Sequence, residues 1–148
     1  MNQLSLIFAA VLAAGFLGQG PAREAPPSLE RLCGKLVHYE GAWVHGRDKT
    51  RNLPHVPVRL YPAVDREQCC EGLAAKATLS TGHWGDFEFK PKGISAGFYW
   101  LEVEPNGREY KILIEYAPKK HWGQMCTQTV WEVDDAGKLR HEQLMTID

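Results

Sequence analysis

From Leu32 onward, apolar and polar residues alternate in short stretches, and Gly, Pro, Asn and Asp interrupt the alternation at near-regular spacing. A period of two sends neighbouring side chains to opposite faces of a strand, so the pattern predicts an all-β sandwich or barrel. Strands are predicted over 32–39, 56–61, 77–81, 86–90, 97–103, 108–116, 127–133 and 139–147. Val56, Val58 and Leu60 share one face of the second strand. Tyr110, Ile112, Ile114 and Tyr116 share one face of the sixth. Pro57 lacks an N–H and suits an edge or an outward-facing position. Gly82-His83-Trp84-Gly85 reads as the connector of a hairpin between Ala77–Thr81 and Asp86–Lys90, because its two glycines permit a tight reversal. Asn106-Gly107 and Asp134-Asp135-Ala136-Gly137 are further turns. The expected architecture is an antiparallel, Greek-key-type sandwich of about seven to eight strands.

The first segment follows a different rule. Residues 1–22 carry no charged side chain, and Leu4–Leu17 is a continuous apolar run with one serine. Fourteen residues are too short for a bilayer span, which takes about 20, but they match the apolar region of a signal peptide. Gly20-Pro21-Ala22 supplies small residues for cleavage before Arg23. The reading is a signal peptide over 1–22, an extended lead-in over 23–31 that Pro26-Pro27 keeps from becoming helical, and one β domain over 32–148. Secretion or a periplasmic location follows, with no transmembrane span after signal cleavage.

Three strand motifs carry a resemblance. They are Val56-Pro57-Val58-Arg59-Leu60, Gly85-Asp86-Phe87-Glu88-Phe89 and Gly97-Phe98-Tyr99-Trp100-Leu101-Glu102-Val103. In this order they are similar to the carboxypeptidase regulatory-like domain, a member of the transthyretin-like (prealbumin-like) β-sandwiches, over residues 33–116. The resemblance implies the sandwich fold. It implies no peptidase activity, because these motifs place core side chains and carry no chemistry.

Composition narrows the partners. The 148 residues include 17 Lys and Arg against 18 Asp and Glu, for a formal net charge of −1. A nucleic-acid-binding domain shows a basic excess, so no nucleic acid is expected. Four cysteines, Cys33, Cys69, Cys70 and Cys126, lie after the signal segment. An even number in an exported domain predicts two disulfides, with three connectivities open. Alternating the strand directions brings all four thiols to one end. Adjacent cysteines rarely bridge each other, so pairing of Cys33 with one of Cys69 and Cys70, and of Cys126 with the other, is favoured. A four-thiolate zinc site is disfavoured, because no Cys-x2-Cys spacing occurs.

The remaining chemistry is sparse. His38, His45, His55, His83, His121 and His141 form no His-x-x-x-His pair, and Ser5, Ser28, Ser80 and Ser95 sit in no Gly-x-Ser-x-Gly motif. Glu88, Glu102 and Glu104 are expected on solvated outward faces. No catalytic residue, metal or cofactor is therefore nominated. Tryptophans in predicted loops are more telling, since core packing does not require them there. Trp43 and Trp84 fall at the same predicted end, with His45, Arg47 and His83 beside them. Flat apolar rings next to hydrogen-bonding edges suit a sugar or a peptide. The expected function is a non-catalytic module for binding or scaffolding at the cell envelope, with a carbohydrate or protein ligand. The alternative is a small secreted hydrolase, or an accessory domain of a separate envelope enzyme such as a carboxypeptidase.

Overall fold

Strands form where the alternation is cleanest, and the computed structural model describes them within residues 25–42, 48–119 and 124–144. The proposed signal segment 1–22 lies outside the described residues. The strands are β1 (Ser28–Leu29), β2 (Cys33–Ala42), β3 (Asp48–Asn52), β4 (Pro57–Pro62) and β5 (Ala77–Ser80), followed by β6 (Asp86–Glu88), β7 (Gly97–Val103), β8 (Tyr110–Tyr116), β9 (Thr129–Val133) and β10 (Leu139–Gln143). They build two five-stranded sheets. The first has the order β1-β8-β7-β4-β5; the second has the order β10-β9-β2-β3, with β6 also paired to β2. One core joins the sheets: Val58, Leu60, Leu101 and Ile114 from the first meet Leu36, Phe87, Trp131 and Val133 from the second. The fold is all-β, as the alternation predicts. Among the described residues no helix is long and apolar enough to cross a membrane.

Three features differ from the sequence expectation. First, the sheets are mixed, because β1 runs parallel to β8 and β2 runs parallel to β9. Second, the described residues make ten strands, including β3 and the two-residue β1. The strand β3, Asp-Lys-Thr-Arg-Asn, has no apolar alternation to announce it; its residues 49–51 are exposed, and pairing with β2 defines it. Third, β5 and β6 are not a hairpin. β5 pairs with β4, whereas β6 pairs with β2, so the glycine-flanked turn carries the chain from one sheet to the other. Gly85 sits at φ +80°, where a Cβ would lie 2.5 Å from the Leu36 carbonyl oxygen. Its amide oxygen instead accepts the Leu36 N–H at 2.8 Å, fixing the crossing.

The lead-in belongs to the packed unit. Leu29 is only 1% exposed, and the Glu115 N–H donates to the Pro27 carbonyl at 2.9 Å. Pro26 and Pro27 have no N–H to return, which stops β1 from extending toward the N-terminus along β8. On the far side of the core, Trp131 is 1% exposed and donates its indole N–H to the Cys33 carbonyl at 3.0 Å. That contact needs a glycine beside it, since a Cβ on Gly34 would lie 2.6 Å from the same nitrogen.

Candidate binding site

Of the five residues nominated for binding, His83 and Trp84 are described, whereas Trp43, His45 and Arg47 lie outside the described residues. The β5–β6 turn holds the described pair. Their rings meet edge to face at 4.9 Å, and Trp84 remains 66% exposed. A tryptophan packed as a lid on the core would be covered, so the turn presents this indole to solvent. The described ends of the β2–β3 hairpin are Ala42 and Asp48, and Leu36, which bonds Gly85, lies farther down β2.

The outward face of the first sheet holds a second cluster, and here the expectation of a solvated carboxylate, met at exposed Glu88, fails for Glu102. Glu102 is 5% exposed. The cause is register: Glu102 on the central strand β7 sits directly opposite Arg59 of β4 and Lys111 of β8. Arg59 Nη1 donates to Glu102 at 2.8 Å and to Glu104 at 2.9 Å, while Lys111 Nζ lies 3.9 Å from Glu102 and 3.5 Å from Glu109. The Glu102 and Glu104 carboxylates raise the Arg59 pKa above its ordinary value. Tyr61 also has its pKa raised, chiefly by burial and secondarily by the Glu102 charge. Two residues along the strands, on the same face, Tyr61 faces Trp100, which in turn faces Leu113.

The 63–76 loop folds back over this face. The Trp100 indole N–H donates to the Asp65 carbonyl at 2.8 Å, and Arg66 lies over the Phe98 ring at 3.6 Å. Between the loop and Lys111 is an open recess of about 530 Å³, bounded by Val64, Gln68, Glu71 and Leu73 among others. A second recess of about 440 Å³ adjoins it at Lys111 and is bounded by Trp100, Leu113, Pro26, Pro27 and Lys138 among others. Both volumes fall in the range of small-ligand sites, about 300–1,000 Å³. Sequence reasoning missed this cluster. Arg59, Trp100 and Lys111 belong to three separate strands, and only the pairing register brings them together.

The cysteines correct the expected connectivity. Cys33 and Cys126 form one bridge, with their Cα atoms 5.4 Å apart, and Cys69 is bonded to Cys70. Because β2 and β9 are parallel neighbours, Cys33 and Cys126 enter them side by side. β4 runs opposite to β2, as the direction count has it, and ends beside β1 and the end of β8, but the loop that follows folds back over the outward face. The loop holding Cys69 and Cys70 instead lines the recess beside Lys111. Cys33, Glu88 and Cys126 have the proximity of a metal-ligand set. Both sulfurs are committed to the bridge, however, and Glu88 pairs with Arg31 at 2.7 Å.

A third polar cluster lies by the β9–β10 turn. His38 stands between Glu40, at 3.2 Å, and Asp135, at 2.9 Å, while Arg51 Nε donates to Glu40 at 2.8 Å. The hydrogen bond from Arg51, then that from His38, lowers the Glu40 pKa. The polar groups of this cluster are thus bonded to one another.

Comparison with known proteins finds no family model and no curated protein that matches this chain. The resemblance to the carboxypeptidase regulatory-like domain therefore rests on the three strand motifs. The fold and these surfaces define an all-β protein with a solvent-facing aromatic turn, a bridged core and a grooved sheet face.

Proposed function

We propose that the chain is an exported, non-catalytic β-sandwich module that binds or scaffolds at the cell envelope, with a carbohydrate or protein ligand. The observation that carries this reading is Trp84, 66% exposed in a turn whose glycines fix its position and whose His83 ring meets it edge to face. An exposed indole held on a rigid turn offers apolar contact area at little cost in ordering. The described polar clusters add support, since Arg59 and Lys111 are engaged with Glu102, and His38 with Glu40. The Cys33–Cys126 bridge is in keeping with an oxidising compartment.

An array of glycans, peptidoglycan fragments and peptides, read by tryptophan fluorescence, tests the proposal. A ligand should bind the exported protein, and Trp84→Ala should weaken it while the far-UV circular dichroism spectrum stays unchanged. If every ligand the array detects still binds after both Trp43→Ala and Trp84→Ala in a folded protein, the proposed surface is removed. Turnover of an ester, glycoside or peptide that copurifies with the protein and tracks one residue would make it an enzyme.

A further inference from the structure

The recess under the 63–76 loop and the recess between Trp100 and the β9–β10 turn meet at Lys111, forming a groove that Trp100 borders. The indole is preorganised, because its N–H is already bonded to the Asp65 carbonyl at 2.8 Å in the loop that overhangs it. A ligand stacking on this ring has no free side chain to order. The charges bordering the groove balance: Asp65 and Glu71 stand against Lys111 and Lys138. One is also paired locally, since Lys111 lies 3.5 Å from Glu109, and the Asp65 carboxylate is held by the Glu67 N–H at 2.7 Å. Such a lining offers no net field to a polyanion or a charged peptide. It offers instead a flat apolar ring with several donors and acceptors around it, including the Gln68 amide. Two adjoining recesses accommodate a chain of rings rather than a single one.

We propose that this groove is a binding site for an uncharged oligosaccharide, with one sugar ring stacked on Trp100 and hydroxyls hydrogen-bonded by Lys111 and Gln68. The inference rests on the binding reading above but uses a different face, so Trp84 and Trp100 test the two separately. The sugar needs no covalent change and leaves as it enters.

The test is titration calorimetry of the exported protein with chitotetraose, cellotetraose and maltotetraose, with tetra-alanine as the peptide probe. At least one tetrasaccharide should bind. Trp100→Ala should weaken it tenfold or more, Trp100→Phe should restore affinity to within about threefold because a ring returns, and Trp84→Ala should leave it unchanged. The indole N–H resonance of Trp100 in the wild-type protein should shift on titration, which keeps the test decisive even where Trp100→Ala fails to fold. The proposal is overturned if no tetrasaccharide binds at millimolar concentration, or if the Trp100 resonance does not move at saturation. Preferential binding of tetra-alanine would also overturn it. Loss of binding in Trp84→Ala with retention in Trp100→Ala would overturn the groove while leaving the proposed function standing.

Discussion

Removing Cys33 and Cys126 together is the sharpest structural perturbation available. The bridge spans a sequence separation of 93 and ties the starts of the parallel neighbours β2 and β9. Cross-linking a loop of that length removes unfolded-chain entropy equivalent to about 4.6 kcal/mol at 25 °C in the loop-closure treatment, and native bridges commonly contribute about 2–5 kcal/mol. Cys33 is also fully buried, so Cys33→Ala adds a small packing loss to the same total. The Cys69–Cys70 pair has a separation of 1, and closing so short a ring removes only about 1 kcal/mol by the same relation. Urea unfolding of the two double-alanine variants compares the terms directly. With a slope of about 2 kcal/mol per molar, Cys33→Ala/Cys126→Ala should lower the midpoint by about 1–2.5 M. Cys69→Ala/Cys70→Ala should lower it by about 0.5 M or less. Equal losses in the two variants would mean that the four cysteines are cross-paired, and a loss below about 1 kcal/mol in the first would refute the bridging argument.

Other expectations follow from single side chains. Gly85→Ala should destabilise the fold by roughly 2 kcal/mol or more in thermal melts, because φ +80° and a Cβ 2.5 Å from the Leu36 oxygen leave it no room. Thr81 is 2% exposed, donates to the Leu53 carbonyl at 2.6 Å and accepts the Val56 N–H at 2.9 Å. Thr81→Val should therefore cost about 1–3 kcal/mol, by leaving two buried backbone groups unpaired; an unchanged melt would contradict the assignment. His141 packs on Trp131 at 4.7 Å with Nε2 buried and unpartnered, and burial lowers its pKa. Its unfolded form takes up a proton first, so this contribution to stability is complete above about pH 6.5 and is lost as pH falls through the lowered folded value. His141→Leu should flatten the dependence of the urea midpoint between pH 8 and pH 5, and an unaltered slope would show that other groups set it.

The strands most legible in the sequence were those that alternate and lie in the first sheet. Val58 and Leu60 in β4, and Leu101 and Val103 in β7, all point inward as their spacing requires. β3 was illegible because a polar edge strand is recognised by the strand it joins. The 82–85 turn was recognised as a reversal, but nothing local tells whether a reversal returns to the same sheet or crosses to the other. Glu102 shows the same limit for the site. Its outward direction is written in the period of two, whereas its burial depends on Arg59 and Lys111 lying opposite it. The even number of cysteines predicted an oxidised framework, but the parallel pairing of β2 and β9 decided the partners.

Binding without chemistry is the central claim, and one experiment measures both halves. The protein is held at saturating concentration with an array-selected ligand, and bound and recovered ligand are quantified by mass spectrometry over many hours. The account predicts saturable binding that Trp84→Ala reduces, with all of the ligand recovered at its original mass. Recovery of a cleaved or otherwise altered ligand in proportion to protein and time would contradict it.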